Sequence, residues 1–383
     1  MRQVNAAQLV ERAQKETGLD RFHSDSFWEG LEILTADVNR AGWPDRGLDY
    51  YEQSTVHDLG VRLKIDDYIR RNPEVLQAPI KAPVVVMGIP RTGTTLTSNL
   101  LAADPARRSL LSWMVGDPTP PPAADQVRTD PRALAALELE RQARAQNPAA
   151  GRFYMASAVF PTECIFVQAQ DFKAMSLEAM GRLPAYSEWM WDADMTSAYD
   201  HHRRFLQVLQ NGTPGSWNLK MPSHSMHWRH LLKAYPDARV VWTHRDPFTA
   251  VGSLCSLIAS SHLRVTDQPD DAWIAELYPR QAAEHANRVM AMKREVGAHR
   301  VYDLHYADMT RDPIGSMKAL YSWLGDAFTP DAEAQMRRWL TENPQGKWGK
   351  HAYRLEQWGL SPETLSPLFA DYLSMYDIER EGA

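Results

Sequence analysis

Residues Gly88-Ile89-Pro90-Arg91-Thr92-Gly93-Thr94-Thr95 have the types and spacing to hold an anion. The β-branched run Val84–Val86 leads into two glycines five residues apart, and Leu96, Leu100 and Leu101 follow at helical spacing. A strand–loop–helix of this kind turns successive backbone N–H groups and a helix N-terminus toward one point, where they cradle phosphate or sulfate. In the triphosphate-binding version, G-x-x-x-x-G-K-[ST], a lysine reaches the terminal phosphates and a hydroxyl holds magnesium. Here Thr94 stands in the lysine slot, and the positive charge sits inside the loop as Arg91. The exchange argues against magnesium–ATP hydrolysis and for a different anion.

Two further segments carry charge at the end of a strand pattern. The run Arg239–Thr243 is followed by His244-Arg245-Asp246-Pro247, with proline in a first helical turn, where its missing N–H has no intrahelical partner to lose. The helix predicted from Pro247 carries a hydroxyl stripe of Thr249, Ser253, Ser256 and Ser260. A guanidinium such as that of Arg245 suits phosphate through forked, charge-assisted bonds, or Arg245 could pair with Asp246 or a helix end. The His-Arg-Asp triplet also imitates a protein-kinase catalytic loop. The asparagine required five residues beyond the aspartate is Val251, and no Asp-Phe-Gly follows, so the kinase reading fails. Lys220 ends a third strand-like run, Trp217–Leu219, the position at which α/β sites form.

With these residues in view, Pro90-Arg91-Thr92-Gly93-Thr94-Thr95 resembles the 5′-phosphosulfate loop, P-[KR]-[ST]-G-T-T, of sulfotransferases that use 3′-phosphoadenylyl sulfate (PAPS). The match is nearest to the bacterial branch that is similar to tyrosylprotein sulfotransferases. The resemblance implies that Arg91, Thr92, Gly93, Thr94 and Thr95 hold the 5′-phosphosulfate, and that Arg245 and Ser253, eight apart, hold the 3′-phosphate. It implies that Tyr306, in a segment similar to the family's "YEDL…DP" motif, lies near the adenine or 3′-phosphate. Lys350 and His351 fall in the Gly- and base-rich segment 345–353, which resembles one that closes over the nucleotide. Lys220, 25 residues before Arg245, resembles the lysine that stabilises the transferring sulfonate. The branch carries Trp-Glu after its first helix, with the glutamate as base; here the pair is Trp113-Met114. Three substitutes exist: His224, four residues beyond Lys220, is preferred, then Glu163, in a segment resembling "PEEC", with Asp117 as a third. Catalytic roles are thus expected for Arg91, Lys220, His224 and Glu163.

The elements that must position these residues follow from periodicity. From Val4 to about Arg71 the pattern is helical and amphipathic, residues 131–148 read as a surface helix, and Val301–His305 is a further strand. Strands alternating with helices imply an α/β fold: a P-loop-like, mainly parallel sheet flanked by helices. The expected organisation is a single domain over 1–383, with a helical N-terminal region (1–80) and an α/β core (81–383). Within that core, 115–215 forms a helical acceptor-side insertion. From Phe153 to Met195 the chain is dense in Met, Phe, Tyr and Trp, an apolar lining suited to a phenol, sterol or lipid-like alcohol.

Composition bounds the function classes. At 383 residues with 44% hydrophobic and 23% charged content the chain is an ordinary globular protein. A net charge of −6 argues against nucleic-acid binding. The two cysteines, Cys164 and Cys255, lie far apart and suggest neither a disulfide nor a zinc site. No secretory signal or membrane-spanning run is visible, so a cytoplasmic location is expected. The resulting expectation is a metal-independent, PAPS-dependent sulfotransferase acting on a small acceptor with an apolar body. The alternatives are a P-loop small-molecule kinase and a nucleotide-binding pseudoenzyme with a regulatory role.

Overall fold

Val84, Val85 and Val86 are β-branched and fully buried, and they form the centre of the sheet. The computed structural model describes residues 2–146, 157–210, 213, 215–344 and 354–381. Among these, five strands form one sheet: β1 (Val84–Gly88), β2 (Arg107–Ser109), β3 (Ser216–Lys220), β4 (Arg239–His244) and β5 (Val301–His305). The order is β2-β3-β1-β4-β5, and every pairing is parallel. The mainly parallel sheet read from the sequence is therefore wholly parallel.

Helices cover both faces, as a buried parallel sheet requires. Side chains alternate along β1 with period two. Val84 and Val86 pack with Leu100, Leu101, Met317 and Leu320. Val85 packs with the N-terminal helices and the insertion, and Met87 with Trp242, Phe248 and Val251. The N-terminal region folds as α1 (Ala6–Thr17), α2 (Trp28–Arg40) and the long α3 (Asp45–Arg71). Asn5 caps α1 through Gln8 N at 3.1 Å, and Gly18, at φ +68°, ends it in the left-handed conformation that favours glycine. After β1 comes α4 (Thr94–Ala103), then α5 (Pro131–Gln146) and α6 (Thr196–Gln210) in the insertion. Next follow α7 (Pro247–His262), directly after β4, and α8 (Asp271–Val296). The described residues of the insertion contain no strand. A buried pair, Arg62 to Asp171 at 2.8 Å, ties α3 to it, and Ser26 bonds both partners.

Several histidines on or near the segment after β3 are buried, and three of them are held by a hydroxyl or a carboxamide. His202 Nδ1 meets Tyr235 OH at 2.6 Å, His285 Nδ1 meets Ser225 Oγ at 2.5 Å, and His201 Nε2 meets Gln170 Oε1 at 2.9 Å. Burial pushes His202, His227 and His285 down to about 3. In the unfolded chain these groups take up protons near pH 6.5, whereas in the folded chain they stay neutral. Their stabilising effect is complete above that pH and is lost as pH falls from 6.5 toward 3, each group adding up to about 1.4 kcal/mol per pH unit. Urea unfolding at pH 7.5 and at pH 5 checks this: the midpoint is expected to fall steeply at the lower pH. A level midpoint across that interval would contradict it.

Candidate active site

The chain runs from β1 to β2 on one side of the sheet and reaches β4 and β5 on the other. β1 is therefore flanked by strands whose connections diverge, and such a switch point opens a crevice at the carboxyl ends of the strands. Several of the residues singled out from the sequence fall on that edge. Lys220 is the last residue of β3, residues 89–93 follow β1, Arg245 follows β4, and Tyr306 follows β5.

The loop after β1 is shaped by close approach. A Cβ on Gly88 would lie 2.7 Å from Thr243 Oγ1 and 2.8 Å from Thr243 O, so only glycine fits beside β4. Thr92, fully buried, donates to Ile89 O at 2.7 Å and shares a 2.6 Å hydrogen bond with Thr243 Oγ1. Its hydroxyl therefore fastens the loop to β4 and leaves its backbone N–H to the anion site. Gly93 has φ +96°, and a Cβ there would meet Tyr306 Cδ2 at 2.7 Å. Gly93 also precedes α4 without any side-chain cap, so the N-terminus of α4 faces the loop mouth, with Thr94 and Thr95 in its first turn. Arg91 sits at φ +75°, a strained backbone for a non-glycine residue and one that concentrates at functional sites.

Three predicted ligands, distant in sequence, converge on this loop. Arg91 Nε donates to Ser253 Oγ at 3.0 Å, and Arg245 Nη1 donates to Arg91 O at 3.0 Å. The Arg245 guanidinium lies 4.4 Å over the Tyr306 ring. Asp246 caps α7, accepting from Phe248 N at 3.2 Å and from Thr249 Oγ1 at 3.1 Å, and so fixes the turn that aims Arg245. Of the hydroxyl stripe, Ser256 bonds back to Gly252 O at 3.0 Å, which leaves Ser253 as the residue facing Arg91. Lys350 and His351 lie outside the described residues.

On the opposite side of the crevice, Lys220 Nζ pairs with Glu163 Oε1 at 2.7 Å. Lys220 is 1% exposed, while the Glu163 side chain is 18% exposed and retains a path to solvent. The backbone repeats the contact, with Cys164 N donating to Lys220 O at 2.9 Å. Cys164 itself is wholly buried, and burial pushes its thiol up to about 12.

The remaining base candidates are placed differently. His224, on the segment after β3, is fully buried. Its Nδ1 shares a 2.7 Å hydrogen bond with Tyr199 OH, and its ring lies edge-on to His202. Burial drives its basicity well below the usual imidazole range, and Nε2 has no hydrogen-bond partner among the described residues. His224 is thus hard to protonate and sealed from solvent, whereas Glu163 keeps a path to it. Asp117 faces Lys64 on α3 at 3.4 Å. Met114, at the position of the branch's glutamate, is a core residue at 2% exposure. Of the apolar insertion, Phe172, Met180 and Met190 also belong to the core, whereas Phe166, three residues after Glu163, is exposed.

Sequence reasoning passed over two contributors. Thr243, one residue of a strand-like run, gave no sign that it would bond the loop. Glu381, near the end of the chain, forms a forked pair with Arg245, Oε1 to Nε at 2.6 Å and Oε2 to Nη2 at 2.7 Å. No spacing rule links residues 136 positions apart. Among the described residues no cluster of three or more His, Cys, Asp or Glu side chains is arranged to hold a metal ion. Nor is any helix among them long and apolar enough to cross a membrane.

Comparison with known proteins agrees with this geometry. Residues 83–330 match the profile of the sulfotransferase family, and the chain belongs to that family of PAPS-dependent enzymes. The kinase alternative is thereby set aside. The structure superposes on sulfotransferase STF9 from Mycobacterium avium with a TM-score of 0.92 at 41% identity, covering 99% of this chain and 98% of that one. Sulfotransferase STF1 from Mycobacterium tuberculosis H37Rv gives 0.86 at 29% identity, covering 96% and 99%. A curated relative from Mycobacterium tuberculosis, omega-hydroxy-beta-dihydromenaquinone-9 sulfotransferase Stf3, is 21% identical over 72% of this chain and 71% of its own length.

The loop geometry is testable. Gly93→Ala places a Cβ against Tyr306 in a left-handed conformation and is expected to cost about 1–3 kcal/mol in urea unfolding. It should also weaken binding of adenosine 3′,5′-bisphosphate in calorimetry. Wild-type stability together with wild-type affinity would contradict the close approach of β5 to the loop.

Proposed function

We propose that this chain transfers the sulfonate of PAPS to a hydroxyl group on a small acceptor with an apolar body. The observation that carries the reading is the convergence of Arg91, Arg245 and Ser253 at the mouth of the 88–95 loop, with the Lys220–Glu163 pair across the crevice. Cationic and hydroxyl groups drawn from the loop and from the turn and helix after β4 suit a nucleotide with one anion at each end of its ribose. The backbone N–H groups of residues 92–95, with Arg91, take the 5′-phosphosulfate. Arg245 and Ser253 take the 3′-phosphate. Thr94 in place of the usual lysine agrees with a ligand that has no γ-phosphate to reach.

Transfer forms a bond from the acceptor oxygen to sulfur and breaks the bond from sulfur to the bridging oxygen of the phosphosulfate. Glu163 takes the hydroxyl proton. Lys220, held on Glu163 before reaction, stabilises negative charge on the sulfonate and on the departing phosphate oxygen, with the loop N–H groups. As Glu163 is neutralised by that proton, the buried ammonium is released from its partner and its field acts more fully on the leaving group. An acceptor of phenol, sterol or lipid-like alcohol type suits the exposed Phe166, three residues after Glu163. The relative named for an omega-hydroxylated dihydromenaquinone supports a lipid-like alcohol in particular.

Glu163→Gln is expected to lower kcat by roughly 10²–10⁴-fold, the usual range for a general base, with bisphosphate affinity nearly unchanged. His224→Asn is expected to lower the melting temperature while leaving kcat per folded molecule within a few-fold. The opposite ordering of the two kcat values would return the base to His224. Arg245→Ala should weaken adenosine 3′,5′-bisphosphate by about 1.5–3 kcal/mol in calorimetry, the range for hydrogen bonds to charged groups. Unchanged affinity would remove Arg245 from the nucleotide site. For the acceptor class, labelled PAPS is offered with apolar alcohols, sterols and phenols, and separately with polysaccharides. Transfer confined to the polysaccharides would contradict the reading.

A further inference from the structure

The guanidinium assigned above to the 3′-phosphate is held by a carboxylate from the end of the chain. Glu381 offers both oxygens to Arg245, at 2.6 and 2.7 Å, in the forked geometry with which arginine also grips phosphate. The segment that delivers it is anchored beside Arg245. Glu381 N donates to Asp246 Oδ2 at 3.1 Å, and Arg380 Nε meets Asp246 Oδ1 at 3.2 Å. The Arg380 guanidinium lies 4.0 Å over the Phe248 ring. Asp377, Ile378, Glu379 and Glu381 line a cleft of about 730 Å³ together with Arg245, His305 and Tyr306.

We propose that Glu381 is an intramolecular stand-in for the 3′-phosphate, closing on Arg245 when nucleotide leaves and displaced when nucleotide binds. The inference rests on the assignment of Arg245 to that phosphate. The two anions cannot share the fork, because both need the parallel Nε and Nη2 donors and they repel each other at contact distance. The pair contributes little to folding at its exposure, with side chains 17% and 37% exposed, so its effect falls on the nucleotide equilibrium. A carboxylate tethered beside the site returns as soon as the phosphate lifts, which speeds departure of the bisphosphate product; product release sets turnover in many enzymes. A nucleotide without a 3′-phosphate does not compete with Glu381.

Glu381→Gln in the full chain tests this, with adenosine 3′,5′-bisphosphate and adenosine 5′-phosphate as probes in calorimetry and stopped flow. The variant is expected to bind the bisphosphate roughly two- to tenfold more tightly, the scale of a part-exposed forked pair. It should release the bisphosphate correspondingly more slowly, with adenosine 5′-phosphate unchanged. In the wild type, hydrogen exchange at the Glu381 amide should quicken when the bisphosphate is added. Wild-type affinity and release in Glu381→Gln, while Arg245→Ala still loses the bisphosphate, would overturn the stand-in and leave the Arg245 assignment intact. Insensitivity to both substitutions would overturn both. Equal tightening of adenosine 5′-phosphate would mark a general charge effect and also overturn the proposal.

Discussion

The hydroxyl pair of Thr92 and Thr243, 2.6 Å apart and sealed from water, binds the loop after β1 to the strand that ends at Arg245. Gly88 makes the approach possible by having no side chain at the point of contact. That junction adds a side-chain tie to the β1–β4 backbone pairing, which runs to Gly88 and Thr243 and already joins the loop to the turn after β4. Beside it, Arg245 reaches the carbonyl of Arg91 and Arg91 reaches Ser253, so that the two guanidiniums proposed to hold anions keep a fixed relation. Fixed separation is what lets a site distinguish a nucleotide with two anionic ends from a free phosphate, because the ordering cost is met by the fold rather than by the ligand.

The other half of the site follows from register. Lys220 lies beside Val86 across the β1–β3 pairing, and the chain turns immediately afterwards into Pro222. Its side chain is therefore carried into the crevice from a rigid strand, with Glu163 as counter-charge. A buried ammonium without a partner is strongly destabilising, and losing one member of such a pair typically costs about 3–5 kcal/mol. The pairing thus serves the resting protein.

Most of the sheet was legible because its strands are apolar and bounded by turn residues. Val84–Met87, Arg239–Thr243 and Val301–His305 were read within one residue of their observed ends. β2 escaped because Arg107-Arg108-Ser109 is a three-residue edge strand with no apolar alternation to reveal it. The strand–loop–helix after β1 and the strand–turn–helix after β4 were legible since each is local in sequence. Whatever depends on contacts between distant segments was not. Lys220 and Glu163 are 57 residues apart, and Arg245 and Glu381 are 136 apart. His224 shows the converse: four residues from Lys220 in sequence, it is carried by the Pro222–Ser225 helical turn to Tyr199, with which it shares a hydrogen bond. A histidine's chemistry depends on its surroundings, and spacing alone does not reveal them.

A crystal structure with adenosine 3′,5′-bisphosphate bears most directly on the account. The 5′-phosphate is predicted to lie on the backbone N–H groups of residues 92–95, and the 3′-phosphate on Arg245 and Ser253. Nucleotide bound elsewhere on the molecule, with the Arg245 and loop contacts unchanged from those described, would contradict the account at its centre.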